Sequence, residues 1–421
     1  MRFLYTVVTG ALAPLLLLRW LWRNKSKQGL WEGCKQKLGF LPFCLSNPSP
    51  IWVHAVSVGE VKAVSTLVKR ILKEYPLRPI LVTTTTVTGA EIAYLEFGAR
   101  VSHLYFPIDL PSVLSRFVSR VNPKALILVE TELWPNLLKL CRDKKIPTVI
   151  LNGRMSPNSY RNYRKAKAIT APAFESLSMV LAQTEEYAQW YEKLGVKLRS
   201  ISVVGNLKCD LVIEEQITSQ ATELRERLGL ASKKVMCFGS FRDGEEPFII
   251  ESMLQLRKAF PELVFILAPR HPDRIPVISK LIRSSGFSVS YQTTVKPAEN
   301  FDILLVDTLG HLLSFYAVSD VAFVGGSILS YGGQNVLEPI ALGVPVITGT
   351  STFNFSDICE KLLANNGLVK VSNPSELIKS AEILLANYEL ALEQTIRATQ
   401  VMENQQGATK LTLAALKPYL V

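Results

Sequence analysis

Charged side chains follow strand-like segments in the first half of the chain. Glu60 ends the stretch "VSVGE", Glu130 and Glu132 lie two apart in "VETELWPN", and Lys208 lies in "GNLKCD". In open α/β sheets, functional side chains gather outside the carboxyl ends of the strands, so these groups are expected to converge. A carboxylate in such a place is a candidate general base for removing the proton of a hydroxyl group.

Each of these charges also has a purely structural explanation. Glu60 and Glu132 can stabilise helix N-termini, which favour negative charge. Glu130 can pair with Lys208 or with Arg154, and Lys208 can be a solvated linker residue. For any one residue alone the structural explanation is favoured. Four charged groups converging on one cleft favour a functional site, because bringing charges together without purpose costs stability.

The second half of the chain indicates an anion and nucleotide site. "LVFILAPR" ends in Arg270, whose guanidinium can hold a phosphate with two parallel hydrogen bonds. In "GGSILSYGGQNVLEPIALGVPVITG", glycines permit close backbone approach before a helix start. Asn335 is expected to cap that helix, and its N-terminus to attract a phosphate. Glu338 in the first turn is expected to bind something else, such as ribose hydroxyls. "FGSFRDGEE" is expected to offer further main-chain amides.

Several common chemistries find little support. The chain has neither the G-x-G-x-x-G dinucleotide fingerprint nor the G-x-x-x-x-G-K-[ST] phosphate loop, which argues against hydride transfer and ATP hydrolysis. Its four histidines lack the spacing of metal ligands. Its six cysteines, Cys34, Cys44, Cys141, Cys209, Cys237 and Cys359, form no C-x-x-C pair. This pattern argues against a disulfide framework and fits a reducing compartment.

The elements that must position these residues are short apolar strands alternating with helices. Strands that are apolar on both faces and separated by helices predict parallel sheets covered on both sides. Strands are predicted at 51–56, 79–85, 101–107, 125–130, 147–152, 179–184, 201–205, 234–240, 263–270, 301–307, 320–327 and 344–349. Helices between them are predicted at Val61–Glu74 and Leu133–Asp143, for example, and further helices follow from about Pro374 and over Lys410–Leu420.

The rhythm of strands and helices is interrupted once. Residues 211–233 are polar and charged and are predicted to link two domains. Residues 25–210 are predicted to form an acceptor-binding Rossmann-like domain, and 234–395 a nucleotide-binding one. Residues 396–421 are expected to form a C-terminal helical segment.

The N-terminus carries the signature of a membrane anchor over residues 1–24. Phe3–Leu18 is uncharged, and about 20 apolar residues can span a bilayer if Arg19 extends toward the interface. Arg23, Lys25 and Lys27 follow, which predicts a cytoplasmic body. A deeply embedded helix on one side of the membrane is equally compatible. A cleaved signal peptide fits less well, because a basic leading region is nearly absent and no small-residue cleavage site precedes the charges.

The charge balance indicates an anionic partner. Lys and Arg number 47 against 36 acidic residues, a net charge of +11. Nucleic acid, anionic lipid and phosphorylated substrates all fit this charge. The N-terminal segment and the lack of a basic–aromatic recognition motif favour a membrane surface and disfavour nucleic acid. The basic stretch 160–168 is a candidate contact for an acceptor or a membrane, and a solvated helix face explains it equally well.

Several motifs occur together in one order along the chain. They are "HAVSVGE", "TTTTVTGAE", "VETELWPN", "LNGRMS", "GNLKCD", "APRHPDR", "VDTLG", "GGQNVLEPIALGVPVITG" and "FNF". This set resembles the bacterial 3-deoxy-D-manno-oct-2-ulosonic acid (Kdo) transferases from the N-terminal helix to near the C-terminus. The resemblance implies a GT-B fold, in which two doubly wound Rossmann-like domains face a cleft. It also implies CMP-Kdo as donor, a tetraacylated lipid A precursor as acceptor and an anchor at the cytoplasmic face of the inner membrane.

The resemblance also implies roles for individual residues. Glu60 would be the proton acceptor, and Glu130 and Lys208 the transition-state stabilisers. The residues implied to bind CMP are Pro269, Arg270, Leu309, Gly310, His311, Asn335, Val336, Leu337 and Glu338. Two positions depart from the family pattern: His311 stands where a glutamate is common, and "GGQNV", with Gln334, stands where Gly-Gly-His-Asn-Pro is common. His311 can still hydrogen-bond a nucleotide, and Gln334 can replace a neutral histidine but not a cation.

The expected reaction is an inverting displacement. Glu60 would remove the proton as a lipid-linked hydroxyl attacks the anomeric carbon and CMP leaves. Its position near a helix N-terminus is expected to keep Glu60 ionised. No metal and no other cofactor is expected, since the chain has no Asp-x-Asp motif and the candidate acids lie mostly in the first domain.

Three alternatives remain open on the sequence alone. Another membrane-associated GT-B enzyme using a UDP-sugar, or a related sugar-nucleotide epimerase, would share "GGQNVLEP" but leave "SVGE" and "ETELWP" unexplained. In a lipid-binding membrane protein without catalytic activity, Glu60 would serve only the helix dipole. A nucleic-acid binder would explain only the net charge.

Overall fold

The protein forms two α/β units, each built on a seven-stranded sheet. The computed structural model describes residues 1–25, 29–41 and 49–421, so Lys27 and Cys44 lie outside the described residues. The first unit comprises Met1–Asp210 and Gln405–Val421, and the second comprises Leu211–Asn404. Neighbouring strands pair in parallel in both sheets, which confirms the predicted α/β class.

The first sheet has the strand order β3-β2-β1-β4-β5-β6-β7. Its strands are β1 (Ile51–His54), β2 (Ile80–Thr84), β3 (Ser102–Tyr105), β4 (Ala125–Val129), β5 (Thr148–Gly153), β6 (Met179–Ala182) and β7 (Ile201–Val203). The helices before and between them are α1 (Arg2–Arg23), α2 (Leu30–Lys37), α3 (Val58–Glu74), α4 (Val87–Phe97), α5 (Pro111–Val121), α6 (Pro135–Asp143), α7 (Pro157–Lys165), α8 (Lys167–Glu175) and α9 (Glu185–Lys193).

The second sheet has the strand order β10-β11-β9-β8-β12-β13-β14. Its strands are β8 (Val235–Phe241), β9 (Val264–Pro269), β10 (Val289–Tyr291), β11 (Ile303–Leu305), β12 (Val321–Val324), β13 (Val346–Gly349) and β14 (Val369–Val371). The helices of this unit are α10 (Glu215–Ser219), α11 (Ala221–Arg227), α12 (Glu246–Ala259), α13 (Ile275–Ser284), α14 (Leu312–Ala317), α15 (Leu337–Ala341), α16 (Ser356–Ala364), α17 (Pro374–Ala386) and α18 (Tyr388–Glu403).

Strands of the first unit are apolar on both faces because each face packs against helices. Along β1, Ile51 and Val53 belong to one hydrophobic core, while Trp52 between them belongs to the core on the opposite face. All three side chains are at most 2% exposed. Fully burying a large apolar side chain contributes about 1.5–3 kcal/mol, so these two cores fix the sheet that carries the candidate site.

Both sheets contain a point where the strand order reverses. In the first sheet the chain leaves β1 toward β2 and β3, then returns to place β4 on the other side of β1. In the second, β9 and β12 flank β8 in the same way. The loops after these central strands leave in opposite directions, which opens a crevice at the carboxyl ends of the strands.

The last helix, α19 (Ala408–Leu420), packs on the first unit. The sequence predicts one C-terminal helical segment over 396–421, whereas in the structure α18 stays with the second unit. The physical reason is Asp210, whose carboxylate accepts the main-chain N–H of Gly407 at 2.7 Å and also that of Thr409. Leu413 and Leu416 are buried in the core beside β1.

Most predicted strands are present within one to three residues of their predicted ends. The sequence misses β10 and β14, which are edge strands of three residues each. Three residues are too few to establish a periodicity of two, so only their pairing with a neighbouring strand defines them.

Candidate functional site

Glu60 stands in the first turn of α3, after the central strand β1. Ser57 precedes the helix in an extended conformation, and Glu60 is the third helical residue. Its carboxylate turns back and accepts the main-chain N–H of Val56 at 2.5 Å, and the Ser57 hydroxyl lies 3.4 Å away. The local capping role considered from the sequence is therefore real, and it also fixes where the carboxylate points.

The loop that holds Glu60 is itself supported from β2. Both the N–H and the hydroxyl of Thr85 donate to the carbonyl of Val56, at 3.2 and 3.0 Å. The carbonyl of Thr85 in turn accepts Trp20 Nε1 and Lys37 Nζ, each at 3.2 Å. Hydrogen bonds therefore connect α1 and α2 through Thr85 to Val56, the residue whose N–H binds the Glu60 carboxylate.

Glu130 directly follows β4, the neighbour of β1. Its backbone is in the left-handed region (φ 59°), which costs free energy for a residue with a side chain and often marks a functional site. Lys208 Nζ donates to Glu130 Oε1 at 3.0 Å, and Arg154 Nε lies 3.8 Å from Oε2. The side chains of Lys208 and Glu130 are only 11% and 19% exposed, so this ion pair is poorly screened by water.

Two neighbours fix this ion pair in place. The Thr131 hydroxyl donates to the Arg154 carbonyl, which joins the loops after β4 and β5. Asn152, also in the left-handed region (φ 54°), accepts the N–H of Leu207 at 3.0 Å through its side chain. That contact holds the turn from which Lys208 extends. Every charged group of this site is therefore placed by a loop at the carboxyl end of a strand.

The site raises the pKa of Glu60 to about 8. The largest cause is burial, and the negative charges of Glu130 and Glu132 add to it, while the Val56 N–H and Lys208 oppose it. Burial and Glu130 also raise the pKa of Glu132 to about 7. Glu130 behaves oppositely: burial favours its neutral form, but Lys208 and Arg154 outweigh burial and hold its pKa below the usual value.

Two sequence expectations about these acids are wrong. The helix N-terminus does not keep the pKa of Glu60 low, because burial and like charges outweigh the hydrogen bond from Val56. A carboxyl group with a pKa near 8 is a stronger base than one at the usual value once it is ionised. Glu132 does not begin a helix, because α6 starts at Pro135.

In the second unit, a buried carboxylate occupies the amides of the glycine-rich loop. Glu245 is 0% exposed, and its two oxygens accept the N–H groups of Arg242, Gly326, Ser327 and Ile328 at 2.7–2.8 Å. The sequence predicts that amides near "GGS" and "FGSFRDGEE" would receive a ligand anion. That expectation is wrong for these four amides, because Glu245 is itself the anion that they bind.

Two arginines provide positive charge near the same strand ends. Arg270 follows β9, and burial lowers its pKa; the charge of Glu338 opposes this shift and that of Arg242 adds to it. Arg242 follows β8, with its guanidinium 4.3 Å from the centre of the Tyr331 ring and 3.5 Å from His271 Nε2. Its Nε is buried and lacks a hydrogen-bond partner among the described residues. A guanidinium that retains an unused donor is suited to an anionic ligand.

The helix predicted to start at Asn335 is short. Asn335 Oδ1 accepts the N–H of Leu337 at 3.2 Å, but the N-cap residue is Val336, so Asn335 does not cap the helix as predicted. Helix α15 has only five residues, and Glu338 lies in its first turn, 6% exposed. The side chains of Val336 and Leu337 are buried, so these two residues can offer a ligand only main-chain atoms.

The remaining predicted nucleotide contacts lie at neighbouring strand ends. Pro269 is the last residue of β9, and Leu309, Gly310 and His311 lie between β11, the neighbour of β9, and α14. Gly310 has a left-handed backbone (φ 95°), which favours glycine at this position, and the His311 side chain is exposed. Arg270 and Glu338 interact through their charges.

Sequence reasoning missed Arg242, Glu245 and Asn152, and it considered Arg154 only as a partner for Glu130. The signals were charged or amide residues directly after apolar strands, in "FRDGEE" and "LNGR". Within residues 1–25, 29–41 and 49–421, His, Cys, Asp and Glu side chains form no group of three suited to holding a metal ion.

The fold is that of known two-domain sugar-nucleotide proteins. UDP-GlcNAc 2-epimerase from Neisseria meningitidis, solved with UDP-GlcNAc, matches 88% of this chain and 100% of its own with a TM-score of 0.59. The sequence identity is 13%, so this likeness shows the fold alone. Two Rossmann-like units, each built on a parallel seven-stranded sheet with a reversal of strand order, define a protein of the GT-B class.

Sequence comparison identifies the family. Residues 32–211 match the family model for 3-deoxy-D-manno-octulosonic-acid transferase (kdotransferase). The chain is 37% identical over 423 residues to 3-deoxy-D-manno-octulosonic acid transferase of Haemophilus influenzae, covering 100% of this chain and 99% of the relative. It is 33% identical over 435 residues to the Bordetella pertussis enzyme of the same name, with 100% and 99% coverage. The chain belongs to the Kdo transferase family and is a glycosyltransferase.

Proposed function

We propose that this enzyme transfers Kdo from CMP-Kdo to a hydroxyl of a lipid A precursor and releases CMP, in lipopolysaccharide core biosynthesis. The observation that carries the proposal is the Glu60 carboxyl group, which has a raised pKa beside the Glu130–Lys208 ion pair in a member of this family. A sugar hydroxyl needs such a base, and the family supplies the identity of the sugar.

In the proposed reaction, Glu60 accepts the proton of the attacking hydroxyl. The hydroxyl oxygen forms a bond to the anomeric carbon of Kdo, and the bond from that carbon to the phosphate oxygen breaks. CMP leaves with the bonding electrons, and the direct displacement inverts the configuration. General-base assistance of this kind is worth about 10²–10⁴-fold in rate, and it is largest when the pKa of the base lies near the working pH.

The ion pair is proposed to respond to the charge that develops during transfer. Lys208 offsets negative charge on the Kdo carboxylate or on the leaving phosphate, and Glu130 stabilises positive charge on the sugar ring or orients Lys208. Glu130 suits either role because Lys208 and Arg154 keep it ionised.

The nucleotide site is proposed in the second unit, around Arg270 and Arg242. Arg270 is partly buried, and Arg242 retains an unused buried Nε. Pro269, Leu309, Gly310, His311 and the run from Asn335 to Glu338 complete the proposed CMP contacts. Positive side chains can supply here the charge that a divalent ion supplies to phosphates in other glycosyltransferases.

The acceptor is proposed to lie at the cytoplasmic face of the bacterial inner membrane. Helix α1 is long and apolar enough to associate with a bilayer, and α7 presents a basic surface. Arg161, Arg164, Lys165 and Lys167 are exposed on α7 and the start of α8. Both the acceptor's phosphates and the inner leaflet are anionic, which matches this surface.

The first test is the transfer reaction itself. Purified full-length protein in detergent is incubated with CMP-Kdo and a tetraacylated lipid A precursor, and the products are read by mass spectrometry. The expected result is a mass gain of one or more Kdo residues with an equal amount of CMP released. CMP-Kdo that stays intact with folded full-length protein and the acceptor present would overturn the proposed donor and direct the search to UDP-sugars.

A further inference from the structure

Helix α1 has one side of polar and small residues, and that side contacts the rest of the first unit. Near its start, the Tyr5 hydroxyl donates to Asp109 at 2.9 Å, and the Thr6 hydroxyl donates to Asn136 Oδ1 at 3.1 Å. Asp109 and Asn136 are 1% and 4% exposed and belong to the folded body, since Asp109 also accepts the main-chain N–H groups of Asn136 and Leu137.

The same face stays in contact with the body to the other end of the helix. Gly10 faces the Leu110 side chain, which would lie 3.7 Å from a Cβ at this position, and Ala13 is 6% exposed. Trp20 then donates to the Thr85 carbonyl, and its ring meets the Tyr105 ring edge-on at 5.2 Å. At 3.6 residues per turn, positions 5, 10, 13 and 20 lie within about 140° of one another around the helix axis, so they share one side of α1 and form a stripe along it.

The rest of the surface of α1 is apolar and exposed. Its large outward side chains are Phe3, Leu4, Val7, Val8, Leu12, Leu15, Leu16, Leu18 and Trp22. Cations stand at both ends: Arg2 at the start, and Arg19, Arg23 and Lys25 at the finish, all exposed. Exposed apolar side chains in such number mark a surface that is covered by a membrane or a partner.

These contacts decide how the helix meets the bilayer. Tyr5 and Trp20 are fifteen residues apart, about 22 Å along a helix at 1.5 Å per residue, and both are hydrogen-bonded to the same folded unit. A helix that crosses a bilayer is surrounded by about 30 Å of hydrocarbon. If α1 crossed, the body attached to both ends would enter the hydrocarbon, where its polar groups would lose their water.

We infer that α1 does not cross the membrane but lies along one leaflet, with its polar stripe on the first unit and its apolar face in lipid. The partner is an anionic bilayer surface, because the cations at both ends of the helix complement anionic headgroups. The stripe explains why Tyr5, Thr6, Thr9 and Gly10 interrupt the apolar surface of α1 on one side only. The inference is independent of the chemistry of the proposed reaction.

The first test measures the side of the membrane on which the N-terminus lies. Full-length protein carrying a protease-cleavable tag at each end is reconstituted into sealed vesicles of phosphatidylethanolamine and phosphatidylglycerol. The C-terminal tag is the matched control, because α19 packs on the first unit and reports molecules whose body faces outward. We expect protease added outside to cleave both tags to the same extent. Cleavage of the C-terminal tag with protection of the N-terminal tag would show a crossing helix and overturn the inference.

The second test measures the contact of α1 with the body inside the membrane. In a Cys44→Ser background, the pair Gly10→Cys and Leu110→Cys should form a disulfide in vesicles under mild oxidation. The control pair, Val8→Cys and Leu110→Cys, places the first thiol on the outward face and should not. Equal yields for the two pairs would contradict a fixed stripe.

The third test identifies what covers the apolar face. A fluorophore attached at Val8→Cys should be quenched at least several-fold more by brominated lipid than one attached at Leu77→Cys, an exposed position on the body. Cross-linking between two copies through Val8→Cys, with no quenching by lipid, would replace the bilayer by a second copy of this chain and overturn the proposed partner.

Discussion

The two sheets reverse their strand order in the same way, yet the loops at the two reversal points carry different chemistry. In the first unit, the loops after β1 and β4 present Glu60 and Glu130. In the second unit, the loops after β8 and β12 present Arg242 and a glycine-rich turn. The topology is shared, so the difference arises from the side chains placed at equivalent positions.

The carboxylates are placed differently in the proposed proton-accepting site of the first unit and the proposed nucleotide site of the second. In the first unit the carboxylates face one another and Lys208, which spreads their pKa values on both sides of the usual value. In the second, the Glu245 carboxylate accepts hydrogen bonds from four main-chain amides and thereby shapes the loop. In the proposed function, Arg242 and Arg270 supply the positive charge that binds the donor nucleotide. Carboxylates that share a site suit acid–base chemistry, whereas one enclosed by amides is structural.

The largest expected effect is the loss of Kdo transfer when Glu60 is replaced, and it distinguishes the first unit from the second. Glu60→Gln should lower kcat/KM for Kdo transfer by about 10²–10⁴-fold, because the amide cannot accept the proton. CMP binding, measured by calorimetry, should stay unchanged, because it belongs to the second unit. The matched control is Glu74→Gln on the same helix, which should retain wild-type activity. Near-normal turnover by Glu60→Gln would remove Glu60 from the reaction.

The next effect concerns the ion pair. Lys208→Met leaves the mostly buried Glu130 carboxylate without its closest cation, and breaking such a pair typically costs about 3–5 kcal/mol. We expect lower stability toward urea together with a strong loss of activity.

The double variant with Glu130→Gln should recover part of the stability but none of the activity, because the uncompensated charge is then removed. An additive loss of stability in the double variant would contradict direct coupling. Lys139→Met, which disrupts the exposed pair with Asp143 on α6, is the control and should leave unfolding unchanged.

In the second unit, we expect binding to fall without a loss of chemistry. Arg270→Ala and Arg242→Ala should each weaken CMP binding by roughly 10–100-fold, the usual range for a lost hydrogen bond to a charged group. At saturating donor, kcat should change much less than for Glu60→Gln. Lys280→Ala, at an exposed position on α13, is the control. Unchanged CMP affinity in both arginine variants would exclude this strand edge as the nucleotide site.

The pH dependence tests the electrostatics of the first unit. Glu60 must be ionised to accept a proton, so kcat/KM should rise with pH and level off above an apparent pKa near 8. Glu132→Gln removes a negative charge that raises this pKa, so the rise should move to lower pH and activity at pH 7 should increase severalfold. An unmoved profile would mean that another group controls the rise.

The contribution of Glu60 to the free energy of unfolding should fall as pH rises, whereas kcat/KM should rise. The folded pKa of Glu60 is raised above its unfolded value, so the folded state binds the proton more tightly. This stabilising contribution of protonated Glu60 is present at low pH and is lost as pH rises through about 8. Glu60→Gln should therefore melt at a higher temperature than the wild type at pH 9, and the difference should shrink at pH 6. The exposed control Glu74→Gln should show no such dependence.

The smallest expected effect tests whether the hydrogen bonds that run from Trp20 through Thr85 to Val56 influence the pKa of Glu60 and the rate of transfer. Trp20→Phe keeps an aromatic ring beside Lys37 and Tyr105 but removes the N–H that binds the Thr85 carbonyl. A less well held Thr85 should weaken the hydrogen bond from the Val56 N–H to Glu60, a bond that lowers the pKa of Glu60. The rise of kcat/KM should therefore move slightly to higher pH, and kcat should fall a few-fold. The KM for CMP-Kdo should be unchanged. A change in that KM alone, with the pH profile intact, would contradict this positioning role.

The order of apolar strands and helices in the sequence determined the α/β class, and residue types after the strands located most of the site. Glu60, Glu130, Lys208 and Arg270 could all be found this way because loops at the carboxyl ends of parallel strands converge. The edge strands β10 and β14 could not, because three residues show no periodicity. The assignment of α19 to the first unit could not be predicted either, since it depends on Asp210, almost two hundred residues away in the chain.

Tertiary structure alone decided what the charges do. The sequence places Glu60 at a helix N-terminus and predicts a low pKa, but burial and the through-space charges of Glu130 and Glu132 raise it. The sequence shows glycines with available amides, but only the folded chain brings Glu245 to them. Helix propensity and strand periodicity are local properties, which a sequence displays. Dielectric environment and charge pairing depend on which residues meet in space. Glu60 and Glu130 are 70 positions apart along the chain, and Glu245 and Gly326 are 81 apart.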